Sequence, residues 1–148
     1  MLHRNLTLVT AALVLALPGF AQTKGDAEAL VKKALAAAKA QGADKTFLEI
    51  NDPAGPFKKG ELYIFVYDLN GKVMAHGGNA KLVGKVLMDS QDADGKFFVR
   101  ERVTLAKAKG KGWQSYKFPN PVAKKIESKI AYVELQDGLI FGCGVYNQ

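Results

Sequence analysis

His76 has the widest chemical range of any residue in this sequence, since an imidazole can serve as base, metal ligand or hydrogen-bond donor near neutral pH. It stands in Ala75-His76-Gly77-Gly78, where a strand-like run meets two glycines. The other histidine, His3, lies in an N-terminal stretch built like a leader, and the single cysteine, Cys143, sits in the apolar run Leu139–Val145. A zinc set therefore lacks ligands, and Cys143 reads as a small buried hydrophobe with no internal disulfide partner. No Gly-x-Ser-x-Gly elbow accompanies a Ser-His-Asp arrangement. Asp92 and Asp94 before Gly95 invite a calcium loop, with Glu101 twelfth when Gly95 is sixth. Ser90 then takes the first position, where it is a poor ligand, so the stretch reads as an Asp-Gly turn opening a helix. His76 remains either a ligand contact or a turn residue closing a strand.

Lys129 and Tyr132 lie in the strand-like run Ile126–Leu135. A lysine in a central strand is either solvent-facing or paired with an anion, because an isolated buried charge is too costly. Trp113, Tyr116 and Phe118 belong to the preceding strand, with Trp113 on the opposite face from the other two by the two-residue period. If both faces are covered, one of these sets lines whatever lies under the covering elements. The sequence has no phosphate-binding glycine loop, CxxC motif or catalytic carboxylate pair, and gives little support for an enzyme or a cofactor.

The elements that must position these side chains centre on Leu62–Gly78. The run Leu62–Tyr67 is apolar or aromatic throughout, which is the pattern of a strand covered on both faces. Asn70-Gly71 behind it is a strong hairpin signal. Upstream, Ala27, Leu30, Val31, Ala34, Leu35 and Ala38 recur at helical spacing and predict a helix over Asp26–Gln41, with Asp26 as N-cap and Gly42 as stop. Asp44 is expected to cap a short second helix burying Phe47, Leu48 and Ile50. The Asn51–Pro56 stretch is a loop. Asn79–Ser90 is expected to lie irregularly over the sheet, followed by a helix over Lys96–Lys107 that turns Phe97, Phe98, Val103 and Leu105 inward. Strands follow at Trp113–Phe118, stopped by Pro119-Asn120-Pro121, then at Ile126–Leu135 and Leu139–Tyr146, the last two joined by an Asp137-Gly138 turn. Gly142 and Gly144 share one face of the final strand and leave room for a close approach. The order predicts an α+β domain with a five-stranded antiparallel sheet and helices on its faces.

The chain has 148 residues, enough for one core. Its first 21 residues have a basic start at His3-Arg4, an apolar Leu6–Leu17 stretch and a small-residue site at Gly19 and Ala21, the build of a secretory signal peptide. That apolar stretch is shorter than the roughly 20 residues a bilayer span needs. The expected division is a signal peptide over 1–21 and a single domain over 22–148, with its helix at 26–41 and its sheet core over 62–146. Export places the product in the periplasm or outside the cell. Loss of Arg4 lowers the net charge from +7 to +6, carried by lysines scattered along the chain. Such a surface favours anions mildly, and without arginine clusters it argues against nucleic acid.

From Asn51 to Tyr146 the chain resembles the single Cache domains of extracytoplasmic bacterial sensors. The resemblance is carried, in order, by NDPAGPF, LYIFVYDLNGKVMAHGGNAKLVGK, DADGKFFVRE, GWQSYKFPNP and KIAYVELQDGLIFGCGVY. It implies a PAS-like fold with a long N-terminal helix on one sheet face and a ligand pocket beneath loops and short helices on the other. It also implies sensing of small organic molecules, often short carboxylates. By matching position it makes His76, Trp113, Tyr116, Lys129 and Tyr132 the pocket candidates, with Arg100 added from the FVRE segment. Phe118 stands where a tryptophan is common, and Ala123-Lys124-Lys125 lacks the usual Thr-Gly turn. The expectation is a binding protein for a short organic anion, acting without catalysis through a membrane-bound sensor, chemoreceptor or transporter. The alternative is an interaction module that docks on such a partner without a ligand of its own.

Overall fold

The computed structural model describes residues 21–147, so the leader expected over 1–21 lies almost wholly outside the described residues. The first helix, α1 (Lys24–Gln41), begins two residues earlier than the apolar period predicts. Thr23 is its cap and Asp26 its third residue: Thr23 Oγ1 accepts from Asp26 N–H at 3.1 Å, and Asp26 Oδ2 accepts from Thr23 N–H at 2.8 Å. This reciprocal box satisfies two otherwise orphan N–H groups. The helix ends at Gly42, whose φ of 92° is open to glycine. Helix α2 (Ala43–Asn51) follows with Gly42 as its cap, and Asp44 makes no capping bond. It buries Ile50 but leaves Leu48 73% exposed, against expectation.

A two-residue ribbon, β1 (Lys58–Lys59) with β2 (Leu62–Tyr63), leads into β3 (Phe65–Asp68) and β4 (Val73–His76). The β3–β4 turn is tied by Asp68 Oδ1, which accepts from Asn70 N–H and Lys72 N–H at 2.9 Å each. Gly71 there has φ 79° and lies against Met88. Beyond a short 3₁₀ turn (Ala80–Leu82) comes α3 (Phe98–Lys109), which starts two residues late because Lys96 N–H is held in the preceding turn by Asp92. Phe97 is consequently only half-buried. The strands β5 (Lys111–Asn120), β6 (Lys125–Gln136) and β7 (Leu139–Tyr146) complete the chain. β5 passes through Pro119, which an edge strand tolerates.

The five-stranded sheet has the order β4-β3-β7-β6-β5 with every neighbour antiparallel. Every residue from Leu62 to Tyr67 is at most 3% exposed, so the uninterrupted apolar run is covered on both sides. Leu62, Ile64 and Val66 pack toward α1 and α2, while Tyr63, Phe65 and Tyr67 pack toward α3. The segment between β4 and α3 roofs the α3 side, with Leu82, Leu87 and Met88 against the aromatic layer. It also covers both sheet edges. Along β4, Val73 N–H donates to Lys85 O at 2.9 Å and Gly84 N–H to Val73 O at 2.8 Å. Along β5, Lys117 N–H donates to Asp92 Oδ2 at 2.9 Å and Lys96 Nζ to Ser115 O at 2.5 Å.

Candidate ligand-binding site

Lys129 projects from the middle of β6 toward α3 and is 3% exposed. Its stem crosses Gly144 of β7, where a Cβ would stand 2.7 Å from Lys129 Cε, and Gly142 likewise makes room for the Phe65 ring, to which a Cβ would come within 2.2 Å. The close approach expected at these glycines is thus made by the chain's own side chains. Lys129 Nζ donates to Tyr63 Oη at 2.8 Å and lies 4.2 Å from that ring's centre, with Phe65, Tyr116, Phe118 and Tyr146 at 5.1–5.8 Å. The Tyr63 and Tyr146 hydroxyls are 2.8 Å apart, and Tyr146 donates onward to Pro119 O at 3.0 Å.

His76 closes the same chamber from β4, its ring centre 5.1 Å from Tyr63, 5.8 Å from Phe118 and 6.3 Å from Phe65. Its Nδ1 accepts from Asn79 N–H at 2.9 Å, which sets the tautomer with the proton on Nε2. Arg102, from α3, is 1% exposed. Its guanidinium carbon lies 4.2 Å from the Phe65 ring centre, 4.6 Å from Tyr67, 5.3 Å from Tyr116 and 5.7 Å from Phe98, and its Nε donates to Gln114 Oε1 at 2.8 Å. Among the described residues neither Lys129 nor Arg102 is paired with a carboxylate.

Burial shapes the charge of this group. It lowers Lys129 to about 7, helped by the Arg102 charge, although the surrounding ring faces favour the ammonium and offset part of that cost. Burial, followed by the Lys129 and Arg102 charges, lowers His76 to about 3, leaving a neutral hydrogen-bond donor. Tyr63, Tyr116 and Tyr146 are all pushed up by burial and stay protonated. Cys143, raised to about 12 by burial, is an inert thiol. The chamber combines positive charge with neutral O–H and N–H donors in an apolar shell, which is what a small anion needs to leave water. A cleft of about 650 Å³ adjoins it, with Phe98, Phe118 and Pro119 in its wall. A smaller hollow of about 260 Å³ lies beside β5 and is walled mainly by Asp92, Asp94, Ser115, Lys117, Ser128 and Ile130.

Of the six residues singled out from the sequence, His76, Tyr116 and Lys129 come together here. Trp113 and Tyr132 point to the α1 face, where their ring centres are 5.3 Å apart. Tyr132 donates to Glu134 Oε2 at 2.9 Å, and Lys24 Nζ lies 4.7 Å over Trp113. Trp113 stands three positions from Tyr116 and Tyr132 three from Lys129, an odd offset, so the strand period puts them on opposite faces. Arg100 is exposed on the outer side of α3, bonded to Asp89 and to Met88 O. The buried arginine is Arg102, on the stripe Phe98, Arg102, Ala106. Sequence reasoning also passed over Tyr63 and Tyr146 as plain core. The period would have found them, since Tyr63 and Phe65 alternate onto one face. Asp92, weighed for calcium, spends its carboxylate on the N–H groups of Asp94, Lys96 and Lys117, each at 2.9 Å. Among the described residues no cluster of three His, Cys, Asp or Glu side chains suits a metal ion.

Comparison with known proteins agrees with this architecture. Methyl-accepting chemotaxis protein McpP of Pseudomonas putida is 35% identical over 86 residues, covering 57% of this chain and 16% of that protein. Sensor histidine kinase MctS of Rhizobium johnstonii is 34% identical over 86 residues, covering 57% and 18%. The chain therefore spans less than a fifth of the length of these relatives. Among solved structures, a methyl-accepting chemotaxis protein of Vibrio parahaemolyticus superposes with a TM-score of 0.71 at 22% identity, over 83% of this chain and 87% of that one. At that identity the likeness speaks to the fold. A Cache chemosensory domain described for its carboxylic acid recognition superposes with a TM-score of 0.66 at 28% identity, over 82% and 86%. The five-stranded sheet, the long first helix and the aromatic chamber are the setting of a PAS-like sensory domain. The model of the Single Cache domain 2 family matches residues 21–147, and the chain belongs to that family.

Proposed function

We propose that this chain is an extracytoplasmic ligand-binding module for a short organic anion, a carboxylate in the first instance, and that it binds without turning its ligand over. The observation carrying this reading is the pair of buried cations, Lys129 and Arg102, left without a carboxylate partner among the described residues. Two such charges facing neutral donors favour an external anion, since one carboxylate would offset part of their desolvation cost. The solved Cache domain known for carboxylic acid recognition supports the same ligand class. The chemoreceptor and sensor kinase relatives support a partner of that kind in the membrane. No helix of the described residues is long and apolar enough to cross one.

The test is thermal unfolding of the purified protein with acetate, propionate and pyruvate, against short amines and nucleobases as controls. Carboxylates are expected to raise Tm, and His76→Ala and Lys129→Ala each to reduce the rise. A response to amines alone would overturn the ligand class. One observation favours a second reading: five aromatic rings already crowd Lys129. If they fill the chamber, the domain works as an interaction module on a membrane sensor or transporter. No Tm change with any small molecule, together with capture by a membrane receptor, is the result that reading requires.

A further inference from the structure

The β3–β4 turn carries a chemistry of its own, away from the chamber. Asn70 is followed by Gly71, and a side-chain amide next to a glycine N–H is placed for ring closure, because no side chain crowds the attacking nitrogen. The other asparagines of the described residues lack this arrangement. Asn51, Asn79 and Asn147 precede residues that carry side chains, and Asn120 precedes Pro121, which has no N–H. Their carboxamides are also tied down. Asn51 accepts from His76 N–H at 2.8 Å and Asn79 from Lys81 N–H at 3.1 Å, while Asn120 and Asn147 donate to Glu127 at 3.1 and 2.6 Å. Asn70 is exposed, and among the described residues its carboxamide makes no such bond. Gly71, in contrast, is buried and held from two sides. Its N–H donates to Asp68 O at 3.2 Å, and its carbonyl accepts from Leu87 N–H at 2.9 Å. Met88 Cγ would lie 2.3 Å from a Cβ at Gly71, and Lys72 forms a bridge with Val86 one residue further on. Consecutive residues of the roof segment therefore fix the nitrogen that ring closure has to move.

We infer that Asn70 is a self-modification site, deamidating through Gly71, and that the roof segment controls its rate. The Gly71 nitrogen loses its proton to water and attacks Asn70 Cγ. A C–N bond closes a five-membered succinimide, the Cγ–Nδ2 bond breaks, and ammonia leaves. Water then opens the ring at either carbonyl. Opening at Cγ leaves aspartate; opening at the main-chain carbonyl leaves isoaspartate, whose backbone runs through Cβ and Cγ. One water enters and one ammonia departs, with no oxidant or reductant. Ring closure must swing the 70–71 peptide away from Asp68 O and Leu87 N–H, so it proceeds while the roof is lifted. The rate is then that of a free Asn-Gly pair scaled by the open fraction. Isoaspartate lengthens the main chain by one CH₂ group ahead of Gly71, which carries its carbonyl away from Leu87. A converted chain cannot refasten this clasp, and the turn becomes a permanent record of how long the roof has stood open.

The experiment ages the purified protein in mildly alkaline buffer and maps peptides by mass spectrometry, separating aspartate from isoaspartate at each asparagine. Asn70 is expected to convert ahead of Asn51, Asn79, Asn120 and Asn147, and on the order of tenfold or more slowly in the folded protein than in urea. Met88→Ala, which uncovers Gly71, should speed conversion several-fold. Wild-type protein in sub-denaturing urea makes the same comparison without a substitution: conversion at Asn70 and hydrogen exchange at Leu87 N–H should rise in step. Folded chains that have become isoaspartate at position 70 should exchange Leu87 N–H faster than unconverted ones. Equal conversion rates in folded and unfolded protein would overturn control by the roof. Failure of Asn70 to convert ahead of the other asparagines even in urea would overturn the site, and unchanged Leu87 exchange after conversion would overturn the loss of the clasp.

Discussion

At the residue scale, burial moves two titrations downward together, that of Lys129 and that of His76. Lys129 falls from 10.5 to about 7 on folding, so between those values the unfolded chain binds the extra proton. Stability therefore rises with pH across that window, by at most roughly 1.4 kcal/mol per unit from this group. His76 falls from 6.5 to about 3, so it contributes stability that is present above 6.5 and lost as pH drops toward 3. Denaturant midpoints taken from pH 3 to 10 should show both slopes; Lys129→Met should flatten the alkaline one and His76→Gln the acid one. A bound carboxylate favours the ammonium, so its Tm rise should shrink between pH 6 and 9. His76 and Lys129 were legible in the sequence because a histidine before two glycines and a lysine in a strand are odd residues for those places, whereas Tyr116 came from its position in the family. Arg102 was not, because helical period alone places it and the neighbouring Arg100 competes for the same reading. Trp113 and Tyr132 were grouped with the chamber by position in the family, although the two-residue period already set Trp113 apart from Tyr116.

At the scale of elements, the hairpin, the final strand pair and the first helix could all be read from period and turn chemistry. The boundaries moved by about two residues wherever a side chain caught a backbone N–H. Thr23 starts α1 early, and Asp92 delays α3. Such caps depend on geometry that apolar spacing does not encode. Thr23→Ala should cost about 1 kcal/mol in urea unfolding, the usual worth of a cap. The glycines of β7 are a sharper case. A Cβ at Gly144 would stand 2.6 Å from Ile130 O and 2.7 Å from Lys129 Cε, and the backbone oxygen cannot yield as a side chain can. Gly144→Ala is expected to lose about 1–3 kcal/mol and to weaken carboxylate binding as well, by shifting the Lys129 stem. A stability loss with unchanged affinity would separate β7 from the site.

For the whole molecule, the segment from Gly77 to Lys96 does two jobs at once. It roofs the aromatic chamber, and it occupies hydrogen-bonding groups on both outermost strands. Bare strand edges are templates for pairing with another chain. Whatever holds this segment down therefore also governs how the protein behaves in concentrated solution. On the anion-site reading, a ligand held beneath this segment would favour its closed position by mass action. Asp92→Ala, which removes the acceptor for three N–H groups, should advance the onset of light scattering on heating, and a saturating carboxylate should delay it in the wild type. An unliganded population would be the sticky one. On the anion-site reading, a module of this build would be kept soluble in part by its own ligand, so that the molecule it reports on also guards its carrier against clumping.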